Sequence, residues 1–163
     1  MFKVGIITSS DKGYKKERED KSGKVIHEIV TKNGYKVIKQ IVLPDEEDKL
    51  LEEMIYMADK LKVDLILTTG GTGFSTRDVT PEATRRAVDR LAPGISEAIR
   101  NYSLKITKRA MLSRAISGIR NKTLIINLPG SEKAVVESLE YIIDSLYHGL
   151  EVMTGKTSEC ARK

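Results

Sequence analysis

The sequence predicts an α/β domain of three layers, with helices over both faces of a mainly parallel sheet. Two observations carry this. Short β-branched apolar runs alternate with amphipathic stretches of ten or more residues, and such alternation gives parallel strands joined by helical crossovers. The 163 residues contain no linker, repeat or low-complexity tract, so a single domain spanning 1–163 accounts for the length. A chain this long buries roughly 70% of the surface its unfolded form exposes, and it needs no disulfide or metal staple.

The elements follow in order. Residues 2–8 (FKVGIIT) are short, apolar and β-branched, a buried strand. Over residues 22–32, Val25, Ile26, Ile29 and Val30 share one helical face, and Asn33-Gly34 supplies the stop. Residues 35–43 form a second strand. Asp45 then reads as the N-cap of a helix beginning at Glu46, whose apolar stripe is Leu50, Met54, Met57, Ala58 and Leu61. Residues 63–69 (VDLILTT) are a third strand, followed by the loop GGTGFSTRDV. Thr80-Pro81-Glu82 signals a helix start, with a hydroxyl cap, Pro at the first position and an acid facing the macrodipole. That helix is expected to reach about Leu91, and Pro93-Gly94 opens an irregular helical stretch ending near Thr107. Residues 122–128 (KTLIINL) are a strand. Pro129-Gly130-Ser131 leads into a long helix with the stripe Val135, Leu139, Ile142, Ile143, Leu146 and Leu150. Residues 153–163 are expected to be a loosely ordered tail.

Composition narrows the function classes. Hydrophobic residues at 40% and charged residues at 31% exclude a disordered chain. No apolar run is long enough for a signal peptide or a membrane span, so a soluble protein is expected. The one cysteine, Cys160, has no internal partner, and a reducing cytoplasm is the natural compartment. A net charge of +5 raises nucleic acid as a partner, but aromatics are 5% and Trp is absent, which leaves little to stack on bases.

In parallel sheets ligands bind outside the carboxyl ends of the strands. The exits here are Thr8-Ser9-Ser10-Asp11, Pro44-Asp45, Thr68-Thr69-Gly70-Gly71-Thr72-Gly73 and Asn127-Leu128-Pro129-Gly130-Ser131. All are small, hydroxylated, acidic or glycine-bearing, and all are expected to meet on one edge. The glycine loop is no P-loop, since no Gly-Lys-Ser/Thr follows. It reads either as a tight turn needing positive φ or as a nest of backbone N–H groups for an anion, with the helix at Thr80 pointing its dipole at the same phosphate. Asp78 is either an Asx turn or a carboxylate that tolerates a phosphate only with a cation between them, which suggests Mg²⁺. Asp45 is a cap or the second half of such a clamp. Asn127 offers an amide able to read a base or ribose, and Ser131 an ordinary N-cap. His27 and His148 lack partners at metal-ligand spacing.

The charge has a location. Residues 82–122 hold ten basic against three acidic residues, a local +7, so the remainder sums to −2. Arg114, beside Ser113 in a semi-apolar stretch, needs an anionic reason to be there, and a phosphate-bearing small molecule is one.

Thr69-Gly70-Gly71-Thr72-Gly73, then Arg77-Asp78-Val79-Thr80-Pro81-Glu82-Ala83-Thr84, then Met111-Leu112-Ser113-Arg114, then Leu128-Pro129-Gly130-Ser131 occur in this order. With that series, residues 4–152 resemble the MogA/MoaB family of molybdenum-cofactor biosynthesis, which includes gephyrin-like G domains. The resemblance implies a molybdopterin-binding domain that transfers AMP from ATP to the terminal phosphate of molybdopterin, with Mg²⁺ and release of pyrophosphate. It implies Asp45 and Asp78 as the functional, Mg²⁺-holding carboxylates. It assigns Thr69, Gly70, Gly71, Thr72, Gly73, Asn127, Pro129, Gly130 and Ser131 to the nucleotide, and Ser9, Asp11, Ser113 and Arg114 to molybdopterin. A trimer or hexamer is implied, with a molybdenum-insertion protein as a further partner. A MoaB-type scaffold that binds the pterin without transferring AMP is the alternative, and neither reading needs nucleic acid or membrane.

Overall fold

The computed structural model describes residues 1–157. Six strands form one sheet in the order β2-β1-β3-β6-β5-β4. The parallel part comprises β1 (Lys3–Ser9), β2 (Lys36–Leu43), β3 (Leu65–Thr69) and β6 (Thr123–Leu128). Two short antiparallel strands, β4 (Arg90–Leu91) and β5 (Ser117–Arg120), extend it beyond β6. The chain leaves β1 for β2 on one side and returns to β3 on the other. The topological switch point therefore lies between β1 and β3.

Alternation along the strands separates two cores. Val4, Ile6, Leu65, Leu67, Leu124, Ile126 and Leu128 face α2 (Lys21–Lys32), α5 (Pro93–Leu104) and α6 (Glu132–Thr154). Ile7, Ile66 and Ile125 face α3 (Glu47–Asp59) and α4 (Thr80–Ala87). The expected stripes fill these cores: Leu50, Met54, Met57 and Ala58 are buried on α3, and Val135, Leu139, Ile142, Ile143, Leu146 and Leu150 on α6. The three-layer α/β/α prediction holds. No helix among the described residues is long and apolar enough to cross a membrane.

Several boundaries differ from the sequence reading, each for a physical reason. Asp45 does not cap α3: Glu46 is the N-cap, without a side-chain cap bond, because the Asp45 carboxylate turns back to the β1 exit. Thr80 is the first residue of α4 rather than its cap, and its hydroxyl donates to the Gly70 carbonyl at 2.9 Å. That helix ends at Ala87, and Arg90–Leu91 pairs with β5 instead of continuing it. The stretch after Pro93 is helical only to Leu104, followed by a 3-10 turn at Lys108–Leu112. At the C-terminal end, Met153 and Thr154 belong to α6, which Gly155 caps in the left-handed conformation (φ 76°). The rest of the expected tail, from 158 to 163 and with it Cys160, lies outside the described residues.

Candidate active site

Register brings the parallel exits level. Thr8 pairs with Thr69 and Thr69 with Leu128, so three loops emerge side by side. Gly70 and Gly71 both have positive φ, 88° and 69°. A Cβ on Gly70 would collide with the Ser9 carbonyl oxygen, and one on Gly71 would collide with Thr80 Oγ1. Glycine is therefore demanded twice, by conformation and by close approach. Among the described residues the backbone N–H groups of Gly71, Thr72 and Gly73 donate to no protein acceptor. These are the donors a phosphate nest requires. The helix behind them does not aim its end at a ligand: Thr80 N–H donates to Gly71 O at 3.1 Å, and Thr80 and Pro81 are buried. Helix α4 holds the loop up from beneath.

Two residues assigned to ligands turn out to be buttresses. Asn127 is fully buried. Its amide donates to Thr68 Oγ1 (3.0 Å) and Thr84 Oγ1 (2.8 Å), and its Oδ1 accepts from Ile116 N–H (3.2 Å). With those bonds made, nothing remains to read a base or ribose. Arg114 also has an internal reason for its charge. It pairs with Glu82 and donates to the carbonyls of Gly73 (2.7 Å) and Asp78 (2.6 Å). Burial pushes the Glu82 carboxyl up, but the Arg114 hydrogen bond and charge outweigh it and leave it below the ordinary range. Arg114 thus clamps both ends of the 74–77 tip and does not serve as a free anion receptor. Arg86 and Arg120 are likewise neutralised, by Glu47 with Asp48 and by Asp59. Three of the ten basic residues in that stretch are thus ion-paired within the fold.

The carboxylates stand on the loops that follow β2 and β3, on either side of the β1 exit. Asp45 is half-buried and accepts from Ser9 Oγ (2.6 Å) and from the Asp11 backbone N–H (2.9 Å). Asp78 is half-buried and accepts from Ser75 N–H (3.0 Å). Neither carboxylate is ion-paired among the described residues, whereas Asp11 receives a two-pronged Arg77 fork at 2.8 and 3.0 Å. The Arg77 hydrogen bonds lower the Asp11 pKa against the opposing effect of burial, with help from the Asp45 N–H and the guanidinium charge. Two carboxylates without ion-pair partners, on the loops either side of the β1 exit, suit a hard divalent cation. No three His, Cys, Asp or Glu side chains among the described residues gather as a metal set. An ion held by these two would take its remaining ligands from substrate oxygens and water, which is how Mg²⁺ usually binds.

Two clefts flank the glycine loop and share Gly130. The larger, about 620 Å³, opens at the switch point between the β1 and β3 exits. Ser9, Thr69, Gly70, Gly130 and Ser131 line it from the predicted set. The smaller, about 280 Å³, has Thr72, Gly73, Ser113, Pro129 and Gly130 in its wall. Ser9 and Ser113, assigned together to molybdopterin, therefore fall in different clefts. Asp11, Asp45, Gly71, Asp78, Arg114 and Asn127 line neither.

Sequence reasoning passed over Arg18, Asp20, Lys21 and Ser22 in the larger cleft, and counted Arg100 and Arg109 of the smaller one only within the basic excess of residues 82–122. Asp20 caps α2 through Gly23 N–H and accepts from Thr8 Oγ1 at 2.9 Å, while Ser22 Oγ donates to the Gly130 carbonyl at 2.8 Å. An acid three residues before a glycine, at the start of the first crossover helix, was the available signal. In a run of mixed charges it resembled solvated surface.

Residues 5–148 match the family model described as "Probable molybdopterin binding domain". The chain is 39% identical over 163 residues to the molybdopterin adenylyltransferase of Helicobacter pylori strain J99, covering 98% of this chain and 92% of the relative. It is 34% identical over 156 residues to the molybdopterin adenylyltransferase of Escherichia coli K12, covering 91% and 80%. In three dimensions it superposes on the molybdopterin biosynthesis enzyme MoaB of Thermus thermophilus with a TM-score of 0.89 and 45% identity, over 98% of this chain and all of that one.

Proposed function

This chain belongs to the molybdopterin-binding family of molybdenum-cofactor biosynthesis, and we propose that it catalyses Mg²⁺-dependent transfer of AMP from ATP to molybdopterin. A terminal phosphate oxygen of molybdopterin attacks the α-phosphorus of ATP in line. The new bond is O–Pα, the bond from Pα to the bridging β-phosphate oxygen breaks, and pyrophosphate leaves. There is little covalent chemistry for the protein to perform, so catalysis consists of positioning and charge stabilisation.

One observation carries the reading. Two half-buried carboxylates without ion-pair partners, Asp45 and Asp78, stand beside a loop whose N–H groups at Gly71, Thr72 and Gly73 are unengaged, and that loop is flanked by two clefts that share Gly130. A reaction that joins two phosphate-bearing substrates needs two adjoining compartments, donors for the phosphate oxygens and a seat for a cation. When bound, Mg²⁺ offsets the phosphate charge. Asp45 and Asp78 would hold it, and the Ser9 hydroxyl, donating at 2.6 Å, fixes how Asp45 is turned. Gly70 and Gly71 keep the loop close enough to the Ser9 exit for its N–H groups to reach phosphate.

The same reading makes the protein a cytoplasmic homo-oligomer, a trimer or hexamer, that passes its product to a molybdenum-insertion protein. Exposed Leu104, Ile106, Met111 and Leu112, clustered along one segment, supply apolar surface for such contacts. Asp78→Asn and Asp45→Asn test the chemistry. Each is expected to cut kcat by about 10²-fold or more, with KM for molybdopterin changed little and thermal unfolding near that of the wild type. Turnover within a few-fold of wild type in both variants would remove the carboxylates from the mechanism.

A further inference from the structure

The two carboxylates lie on different loops, and something must set their separation. Asp45 follows β2, and Asp78 follows the glycine loop after β3. Between them lies the β1 exit, with Asp11 on the short helical turn α1 (Asp11–Tyr14). Asp11 binds Asp45 reciprocally: its N–H donates to Asp45 Oδ2 at 2.9 Å, and its Oδ1 accepts from Asp45 N–H at 3.0 Å. The same Asp11 carboxylate receives the Arg77 fork. Arg77 is the residue before Asp78. The hydrogen-bonded chain from Asp45 through Asp11 to Arg77 therefore ends on the neighbour of the second carboxylate.

The 74–77 tip has few other restraints. Arg114 holds its two ends through the carbonyls of Gly73 and Asp78. Within the tip, Ser75 and Asp78 exchange N–H bonds and Ser75 Oγ accepts from Arg77 N–H, all of them local to the turn. Phe74 is 70% exposed. Among the described residues, the Arg77 fork is the one side-chain link from this tip to the β1 and β2 exits. The pair is open to water, with side-chain exposures of 54% for Arg77 and 33% for Asp11. An exposed ion pair of this kind contributes little to global stability. Its effect is local, on where the tip sits.

We propose that Asp11 and Arg77 are positioning residues, whose ion pair latches the 74–77 tip and thereby sets the span between Asp45 and Asp78. This rests on the reading of those carboxylates as a cation seat. Asp11 then has a task other than contact with molybdopterin, consistent with its absence from both cleft walls.

The test uses the full chain, Mn²⁺ as the probe ion and α,β-methylene-ATP as an inert nucleotide. Free Mn²⁺ is measured by electron paramagnetic resonance for wild type, Arg77→Gln, Asp11→Asn and the double variant. Amide hydrogen exchange over residues 74–79 is followed without ligand. Asp11→Asn keeps an oxygen for the Asp45 N–H and removes the carboxylate charge and the Oδ2 prong of the Arg77 fork. Each single variant is expected to weaken Mn²⁺ binding roughly fivefold, the scale of one exposed ion pair. The double variant should go no further than either, because both remove the same interaction. Arg77→Lys, which keeps charge but not the fork, should fall between. Exchange over 74–79 should quicken in the variants, with melting temperature within about 2 °C of wild type. Unchanged exchange, or additive losses of Mn²⁺ affinity, would overturn the latch. A wild type that binds no Mn²⁺ with the nucleotide would refute the cation seat instead, and the exchange data would still show whether Asp11 and Arg77 hold the tip.

Discussion

Gly70 shows how much of the site is decided by the absence of a single carbon. Its φ of 88° is unfavourable for any other residue, and a Cβ there would run into the Ser9 carbonyl. Gly70→Ala is therefore expected to destabilise the protein by about 2 kcal/mol or more, measurable as a shift in urea midpoint at unchanged m-value. A loss below about 0.5 kcal/mol would mean that the loop relaxes freely. At this scale the sequence was informative about residue type and uninformative about direction. The glycines and the two carboxylates stand at the expected edge because strand exits are predictable from topology. Asn127 and Arg114 misled because a polar side chain at a strand exit looks the same whether it faces a ligand or a neighbouring loop. Only the partners separate these cases: Thr68, Thr84 and Ile116 for Asn127, and Glu82, Gly73 and Asp78 for Arg114. Most of them lie tens of residues away in the chain.

At the scale of elements, periodicity located every parallel strand and the principal helices to within a few residues, since each buries a continuous apolar face. Strands β4 and β5 were invisible. They are two and four residues long, and β5 includes Gly118, whose bare Cα admits the Arg90 carbonyl and Val88. No hydrophobic pattern can form in so few residues. This edge is held partly by polar contacts: Arg120 forks Asp59 at 2.7 and 3.0 Å and donates to the Ala87 carbonyl, which ties β5 to the ends of α3 and α4. The Arg120 hydrogen bonds draw the Asp59 pKa below its ordinary value, overcoming the opposite pull of burial. A depressed folded-state pKa stabilises the fold above the unfolded value of about 3.9 and loses that contribution as pH falls through the folded one. Asp59→Asn should therefore lower stability by about 1 kcal/mol near neutral pH. The gap to wild type should narrow as pH falls below the unfolded value and through the lowered folded one. A gap that stayed constant across this range would show that the fork's charge does not contribute.

For the whole molecule, a net charge of +5 first suggests a nucleic-acid surface. In the fold, three of the arginines behind that excess are ion-paired, with Glu47 and Asp48, with Glu82 and with Asp59, while Arg100 and Arg109 line the smaller cleft. What remains is an architecture with two compartments at the carboxyl edge of a parallel sheet, joined at Gly130 and overlooked by Asp45 and Asp78. That arrangement is suited to joining two phosphate-bearing molecules. A single-turnover incubation of the purified protein with molybdopterin, Mg²⁺ and ATP labelled at the α-phosphate decides whether they are joined. We expect the label to move onto the pterin with one pyrophosphate released per site, and the transfer to be lost in Asp78→Asn. Tight molybdopterin binding with the label left in ATP and no pyrophosphate formed would rule out adenylyl transfer and leave a pterin-binding scaffold in its place.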